Sequence, residues 1–278
     1  MRLFPKIPLA DWVDNFVSVL TERLEGFFDG VSSIIGWFVE SIVNILSLVP
    51  SLVLIGIFVI IAWWTSRWGV ALFTALGLLL IHNLGYWPET IDTLALVLTS
   101  VIISIIVGVP FGIWASQNET VKNIITPVLD FMQTMPAFVY LIPAILFFGI
   151  GVVPGIIASV IFAMPPTIRL TNLGIRQVPK DLIEASNAFG ATTSQKLYKV
   201  ELPLAMPTIM AGINQSIMLA LSMVVIASLV GAPGLGADVY RAVTQIKVGV
   251  GFEAGLAIVI LAIMLDRISQ NIGRSKAD

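Results

Sequence analysis

FMQTMPAFVYLIPAILFFGIGVVPGIIASVIFAMPPTI, residues 131–168, contains no Asp, Glu, Lys or Arg. A helix needs about 20 mostly apolar residues to cross the hydrocarbon core of a bilayer. This run is too long for one crossing, and Gly149, Gly151, Pro154 and Gly155 punctuate it. Gly and Pro mark turns, so the run reads as two membrane-spanning helices in a tight hairpin. Toward the N-terminus the same charge-free criterion finds 93–118, 68–88 and 41–66, the last with its apolar centre at 48–64. Toward the C-terminus, 202–237 holds a crossing near 207–230 before a Gly-rich loop, and a last crossing covers 249–265. Seven crossings result. Six or eight stay open, because element boundaries are the weakest part of a pattern reading.

Composition supports a lipid solvent. Of the 278 residues, 57% are hydrophobic and 12% charged, with a mean hydropathy of +0.97. A soluble domain carries roughly 25% charge. An ordinary soluble enzyme, a disordered chain and a nucleic-acid binder are thereby excluded, and the net charge of −2 offers no basic field. There is no Cys, which removes disulfides, thiolate nucleophiles and sulfur-ligated metals. The one His, His82, sits in an apolar run, so neither a His metal cluster nor a convincing Ser-His-Asp triad exists. The first fifteen residues carry prolines and acids rather than an unbroken apolar stretch, so they do not read as a cleaved signal.

Ahead of the first crossing the pattern changes. Trp12, Phe16, Leu20, Leu24, Phe27, Val31, Ile34, Phe38 and Ile42 recur at steps of three and four, with Asp11, Asp14, Asn15, Glu22, Glu25, Asp29 and Glu40 between them. This is an amphipathic helix, expected to break near Gly26 and Gly30, that suits a membrane interface or packing on the spans. The organisation expected is thus an outer amphipathic segment (1–47), two accessory spans (48–88), a helical core (89–270) and a tail (271–278). Lys and Arg orient the chain, since they favour the cytoplasmic side. Arg169, Arg176, Lys180, Lys196 and Lys199 lie between two spans, and Arg267, Arg274 and Lys276 follow the last one. Placing these inside puts ten of the fifteen Lys and Arg in the cytoplasm, the N-terminus outside and the C-terminus inside.

The longest polar stretch in this region is QVPKDLIEASNAFGATTSQKLYKVEL, 177–202. It reads as a helical hairpin. Asp181 and Glu184 have the spacing of a capping box, and Leu182, Ile183, Ala185 and Ala188 supply an apolar side. Gly190 is placed to close the first helix in a left-handed conformation. Thr192 and Gln195 offer a second cap, Leu197, Tyr198 and Val200 continue the second helix, and Pro203 is expected to end it.

Glu184-Ala185-Ser186, then Gly190, then nine residues to Val200-x-Leu202-Pro203, resembles the EAA loop of ABC-transporter permeases, E-A-A-x3-G-x9-I-x-L-P. Ser186 replaces Ala and Val200 replaces Ile, both small changes in volume. Residues 98–116, 130–179 and 213–239 also resemble the permease subunits of glycine betaine/proline osmoprotectant importers. The resemblance covers about 90–270 most strongly.

That resemblance implies an all-α polytopic membrane protein with a type I ABC importer core. It implies that 177–203 is a coupling loop docking on a separate ATPase, through Asp181, Glu184, Ala185, Ala188, Gly190, Leu202 and Pro203. The small residues permit close approach, and Glu184 caps its helix or pairs with a basic partner residue. This chain has no G-x-x-x-x-G-K-[ST] loop, so ATP and Mg are expected on the partner and none in this chain, which is not itself an enzyme. Two identical permeases would supply one loop to each of two ATPases. An extracytoplasmic binding protein, lipid-anchored or periplasmic, completes the expected partners in the cell membrane.

Other residues carry weaker signals. Met135 and Pro136 beside Thr134, with Asn214, Gln215, Ser222 and Met223, are candidates for the translocation path. Asn214, Gln215, Ser216 and Ser222 equally suit hydrogen bonds between helices. Trp63, Trp64, Trp68, Trp87 and Trp114 fall at span ends, as an aromatic belt predicts. Glu253 and Asp266 flank the last span, where solvation or an ion pair accounts for them. Residues 231–236 read as an external turn before a partly re-entrant segment at 238–247. An ion-coupled secondary transporter is the rival class, for which inverted repeats and midplane ionisable residues are missing from the sequence. Choline, carnitine or proline are the rival substrates.

Overall fold

The computed structural model describes residues 8–272, and every regular element among them is helical. Arg2, Lys6, Arg274 and Lys276, with the rest of the expected tail, lie outside the described residues. The helices are α1 (Leu9–Leu48), α2 (Ser51–Thr65), α3 (Trp68–Asn83), α4 (Trp87–Gln117), α5 (Glu119–Thr134), α6 (Ala137–Phe148) and α7 (Val152–Arg176). There follow α8 (Lys180–Ala188), α9 (Thr193–Lys196), a π-helical turn (Leu197–Glu201), α10 (Leu202–Ser228), α11 (Leu235–Thr244) and α12 (Val248–Ile272). Each of the seven expected crossings corresponds to one helix: α2, α3, α4, α6, α7, α10 and α12.

Five helices (α1, α4, α7, α10 with the preceding turns, and α12) are long and apolar enough to cross a membrane, and the bent α5–α6 pair makes six. α2 and α3 are shorter than expected, at 15 and 16 residues. At 1.5 Å per residue each extends only about 22–24 Å, less than the ~30 Å hydrocarbon core. Gly85, at φ +84°, turns the chain three residues before the expected end of the second crossing. The amphipathic segment is a single 40-residue helix whose one non-helical residue is Leu24, not Gly26 or Gly30.

The 131–168 run breaks at one place more than expected. Besides the Gly149–Gly151 turn, the chain bends by 101° between α5 and α6. Pro136 has no N–H to donate and forces Met135 into extended backbone, φ −71° and ψ 138°.

α4, α7 and α10 form the packed centre, and small residues let them approach. A Cβ added at Gly112 would lie 2.5 Å from Thr171 Cβ and 2.8 Å from the Ile168 carbonyl, both on α7. Val97 and Val101 of α4, Ile156 and Val160 of α7, and Leu221 and Val224 of α10 fill this core, and Ile35 and Val39 of α1 cover one side. A second cluster joins α2 and α3 to α12 through Ile55, Leu78, Ile81, Ile260, Leu261 and Met264. Ser66 completes that link at one end, donating to Arg267 O at 3.0 Å and accepting from Asn271 Nδ2 at 2.8 Å.

Candidate functional site

The hairpin at 177–202 forms, with local chemistry that differs from expectation at two points. α8 begins two residues earlier than an Asp181 cap allows. Pro179 is its N-cap, no side chain caps it, and Asp181 lies in the first turn. The Asp181–Glu184 capping box is therefore not made. An acid in the first turn still meets the positive end of the helix dipole. Secondly, Pro203 does not end the second helix. Leu202 N–H donates to Leu197 O, five residues back, and the π-helical turn runs straight into α10. The wider turn accommodates a Pro whose missing N–H would interrupt a regular ladder.

The other two expected features are present. Thr192 and Gln195 form a full capping box: Gln195 N–H donates to Thr192 Oγ1 at 3.3 Å, and Thr192 N–H donates to Gln195 Oε1 at 2.9 Å. Gly190 takes φ +74°. Gly190 N–H donates to Asn187 O at 2.9 Å and Ala191 N–H to Ser186 O at 3.0 Å, the paired closure of a Schellman motif.

The hairpin stands away from the core. No residue of α8 is buried. Asp181, Glu184, Ala185, Ala188 and Gly190 are all exposed, and so is Pro203. Leu202 instead turns inward onto the cluster of Ile175, Ala205 and Ile209. Leu182 is also exposed, although the sequence placed it on the apolar side. Phe189 is 92% exposed at the hairpin tip. Sequence reasoning did not single it out, and its signal was an aromatic residue directly before a helix-closing Gly in a polar loop.

Ties at the hairpin base connect it to the helical centre. Arg176, the last residue of α7, pairs with Glu119, donates to Ala115 O at 3.0 Å and donates to Asn172 Oδ1 at 2.8 Å. Gln117 Nε2 donates to Glu201 Oε2 at 3.2 Å, and Glu201 is 8% exposed within the π turn. Both limbs of the hairpin are thus fastened to the α4–α5 junction.

The candidate path residues divide. Gln215 and Ser222 lie exposed along one face of α10. Met223 is buried and gathers with Tyr140, Ala158 and partly buried Met135, which brings the exposed Pro136 bend up to α10. Asn214 serves as an interhelical tie: its Nδ2 donates to Asp266 Oδ1 at 2.6 Å, and it accepts from Ser269 Oγ. Ser216 pairs with Thr167 at 2.7 Å in the buried centre. Glu253 accepts from Tyr86 OH at 3.4 Å, and Asp238 on α11 pairs with Arg241 at 2.6 Å. Burial pushes the Asp238 carboxyl above its ordinary 3.8, which Arg241 opposes and Glu89 reinforces.

Among the described residues, an all-helical apolar core with an exposed helical hairpin between two of its central spans fits the permease class expected from the sequence. The chain belongs to the family described as binding-protein-dependent transport system inner membrane component, whose model matches residues 108–277. It is 68% identical over 272 residues to the glycine betaine transport system permease protein OpuAB of Bacillus subtilis (strain 168), covering 98% of this chain and 96% of that protein. It is 57% identical to the glycine betaine/carnitine transport permease protein GbuB of Listeria monocytogenes serotype 1/2a (strain 10403S), over 97% of each. Among solved structures, an inward-facing MetNI methionine ABC transporter chain superposes with a TM-score of 0.60 at 25% identity, over 66% of this chain and 92% of that one.

Proposed function

We propose that this permease imports glycine betaine or a closely related compatible solute, driven by ATP hydrolysis on a separate subunit. The observation that carries the coupling half of this reading is the exposed hairpin, closed by Gly190 and tied through Arg176 and Glu201 to the central helices. An ATPase closing on ATP and Mg would pull such hairpins together and rock α4, α7 and α10. The substrate half rests on the two relatives, named for glycine betaine and for glycine betaine with carnitine.

Two copies of the chain would enclose the path, with Gln215 and Ser222 on the unpartnered face of α10 toward it. The hairpin end faces the cytoplasm in this reading, as its clustered Lys and Arg favour. The N-terminus is then outside and the C-terminus inside. A binding protein delivers solute at the opposite end.

The test is osmolality-stimulated glycine betaine uptake in cells carrying the complete system with Gly190→Asp or Glu184→Lys in this chain. Uptake is expected to fall in both variants while membrane insertion persists. Wild-type uptake in both would sink the coupling role. Uptake by the purified chain alone on a sodium or proton gradient would favour a secondary transporter instead.

A further inference from the structure

One ion pair stands on the flanks of the helical centre, inside the spans and not at their ends. Arg169 belongs to α7, seven residues short of its end at Arg176, although the sequence grouped it with the cations that follow that span. Arg169 Nη2 donates to Asp130 Oδ1 of α5 at 2.5 Å. At 1.5 Å per residue, Arg169 lies about 10 Å along α7 from Arg176, and Asp130 about 16 Å along α5 from Glu119. Arg176 and Glu119 are themselves paired at the hairpin base. This chain leaves the inner pair open: the Arg169 side chain is 40% exposed and that of Asp130 57%. Ionised groups within spans are costly against lipid, and they face the bundle interior or a water-filled cavity instead.

The backbone beside the pair makes the same demand. Asp130 stands five residues before Met135, where the chain bends by 101° into α6. Pro136 has no N–H to offer Met132 O. The Tyr140 hydroxyl takes that place, donating to Met132 O at 2.7 Å. Broken helices are tolerated at membrane depth only where they are buried in protein or line a water-filled cavity. On α7, Phe162 lies two turns before Arg169 on the same face, and it packs with Met135 on the cluster of Tyr140 and Met223. The ion pair, the bend and two of the candidate path residues therefore share one side of the helical centre.

The guanidinium is only partly used. Its bond to Asp130 is the one it makes among the described residues, and its Nε–H is buried without an acceptor. A fork suited to two parallel bonds with a carboxylate thus makes one. We infer that Arg169 and Asp130 form a contact for a zwitterion in the translocation path, Arg169 receiving the solute's carboxylate and Asp130 facing its cationic end. The inference rests on the importer reading above and gives that reading a contact for its substrate. Glycine betaine carries a carboxylate and a quaternary ammonium one carbon apart, so it enters between two opposite charges and leaves neither unbalanced. The ammonium has no N–H to donate, so Asp130 opposes it by charge alone, while the fork of Arg169 grips the carboxylate directionally. A plain cation or anion would leave one member of the pair facing its like charge. In the third of α7 nearest the hairpin, this contact stands at the cytoplasmic mouth of the path.

The test uses the complete transporter, with its ATPase and binding protein, in proteoliposomes. Arg169→Gln is expected to lower glycine betaine uptake per ATP hydrolysed by at least about tenfold, as the loss of a hydrogen bond to a charged group implies. Arg169→Lys keeps the charge without the fork and is expected to lose less. A pair that merely ties α5 to α7 would lower uptake and hydrolysis together and leave their ratio at wild type, which overturns the inference. The chain has no Cys, so Asp130→Cys introduces its single thiol. In lipid nanodiscs that thiol is expected to react with a permanently charged, water-soluble thiosulfonate, and to react more slowly once ATP and vanadate close the ATPase. No reaction places the residue against lipid, and equal rates in both states place it on an ordinary wet surface; either result overturns the inference. Absence of ATP-dependent uptake in wild type would instead bring down the importer reading, and this assignment with it.

Discussion

Replacing Gly190 isolates the backbone contribution to coupling. Its φ is +74°, and a Cβ built there meets nothing within 4 Å. Within this chain the cost of a side chain is therefore conformational. An L-residue in the left-handed region costs about 1–2 kcal/mol, a factor of roughly 5–30 in the population of the closed turn. Asn enters that region more readily than Ala, and β-branched Val least readily. The expected order of coupled uptake is Gly, Asn, Ala, Val, with Val lower by up to that factor. Because α8 has no buried residue, the strain is released by local opening of the hairpin and not by unfolding the helical centre. The assay is glycine betaine uptake per ATP hydrolysed in proteoliposomes holding the full transporter, run beside thermal unfolding of each variant. Ala and Val variants with wild-type uptake and unchanged stability would refute the claim that the left-handed closure at 190 shapes the docked hairpin. An order set by side-chain volume alone, with Asn below Ala, would refute the backbone argument equally.

Three further outcomes follow from the geometry. Gly112→Val forces α4 off α7, where even a Cβ would sit 2.5 Å from Thr171, and is expected to destabilise by about 1–3 kcal/mol, read as a lower melting temperature in detergent. Asn214→Ala leaves Asp266 and Ser269 without their α10 partner; a hydrogen bond to a charged group contributes about 1.5–3 kcal/mol, so a comparable loss is expected, and no change in melting temperature would remove Asn214 as a tie. Folding raises the Asp238 pKa above 3.8, so the native state holds that proton more tightly. This contribution to stability is fully present below pH 3.8 and is lost as pH rises through the raised value. Asp238→Asn should flatten that decline in thermal scans run upward from pH 3.8, and an unaltered slope counts against it.

Much of the fold was legible because lipid imposes a simple rule: each crossing must be a long, nearly charge-free helix. That rule located α4, α6, α7, α10 and α12 from the sequence. It overestimated α2 and α3, since hydropathy does not register the break at Val49–Pro50 or the turn that Gly85 makes. It passed over the 101° bend at Met135-Pro136, because an apolar run looks continuous whether the backbone is straight or broken. Gly190 and the Thr192–Gln195 cap were readable because their signals are local. The Asp181 cap failed for a comparable reason: Pro179 starts the helix two positions earlier, and two start signals close in sequence compete. Phe189 was missed because exposure, unlike periodicity, is a property of the whole packing.

By itself the sequence determined the solvent, the order of the apolar helices α2, α3, α4, α6, α7, α10 and α12, and the spacing that marks the 177–203 hairpin. These depend on composition and on residues close together in the chain. Only the tertiary structure decided that Arg176 and Glu201 bind the hairpin to the α4–α5 junction. It also decided that Asn214 ties helices together and that Met223 is buried away from its polar neighbours. Each of these depends on which groups of distant segments meet, or fail to meet, once the helices have packed. Free energy of burial and hydrogen bonding is assigned only at that stage.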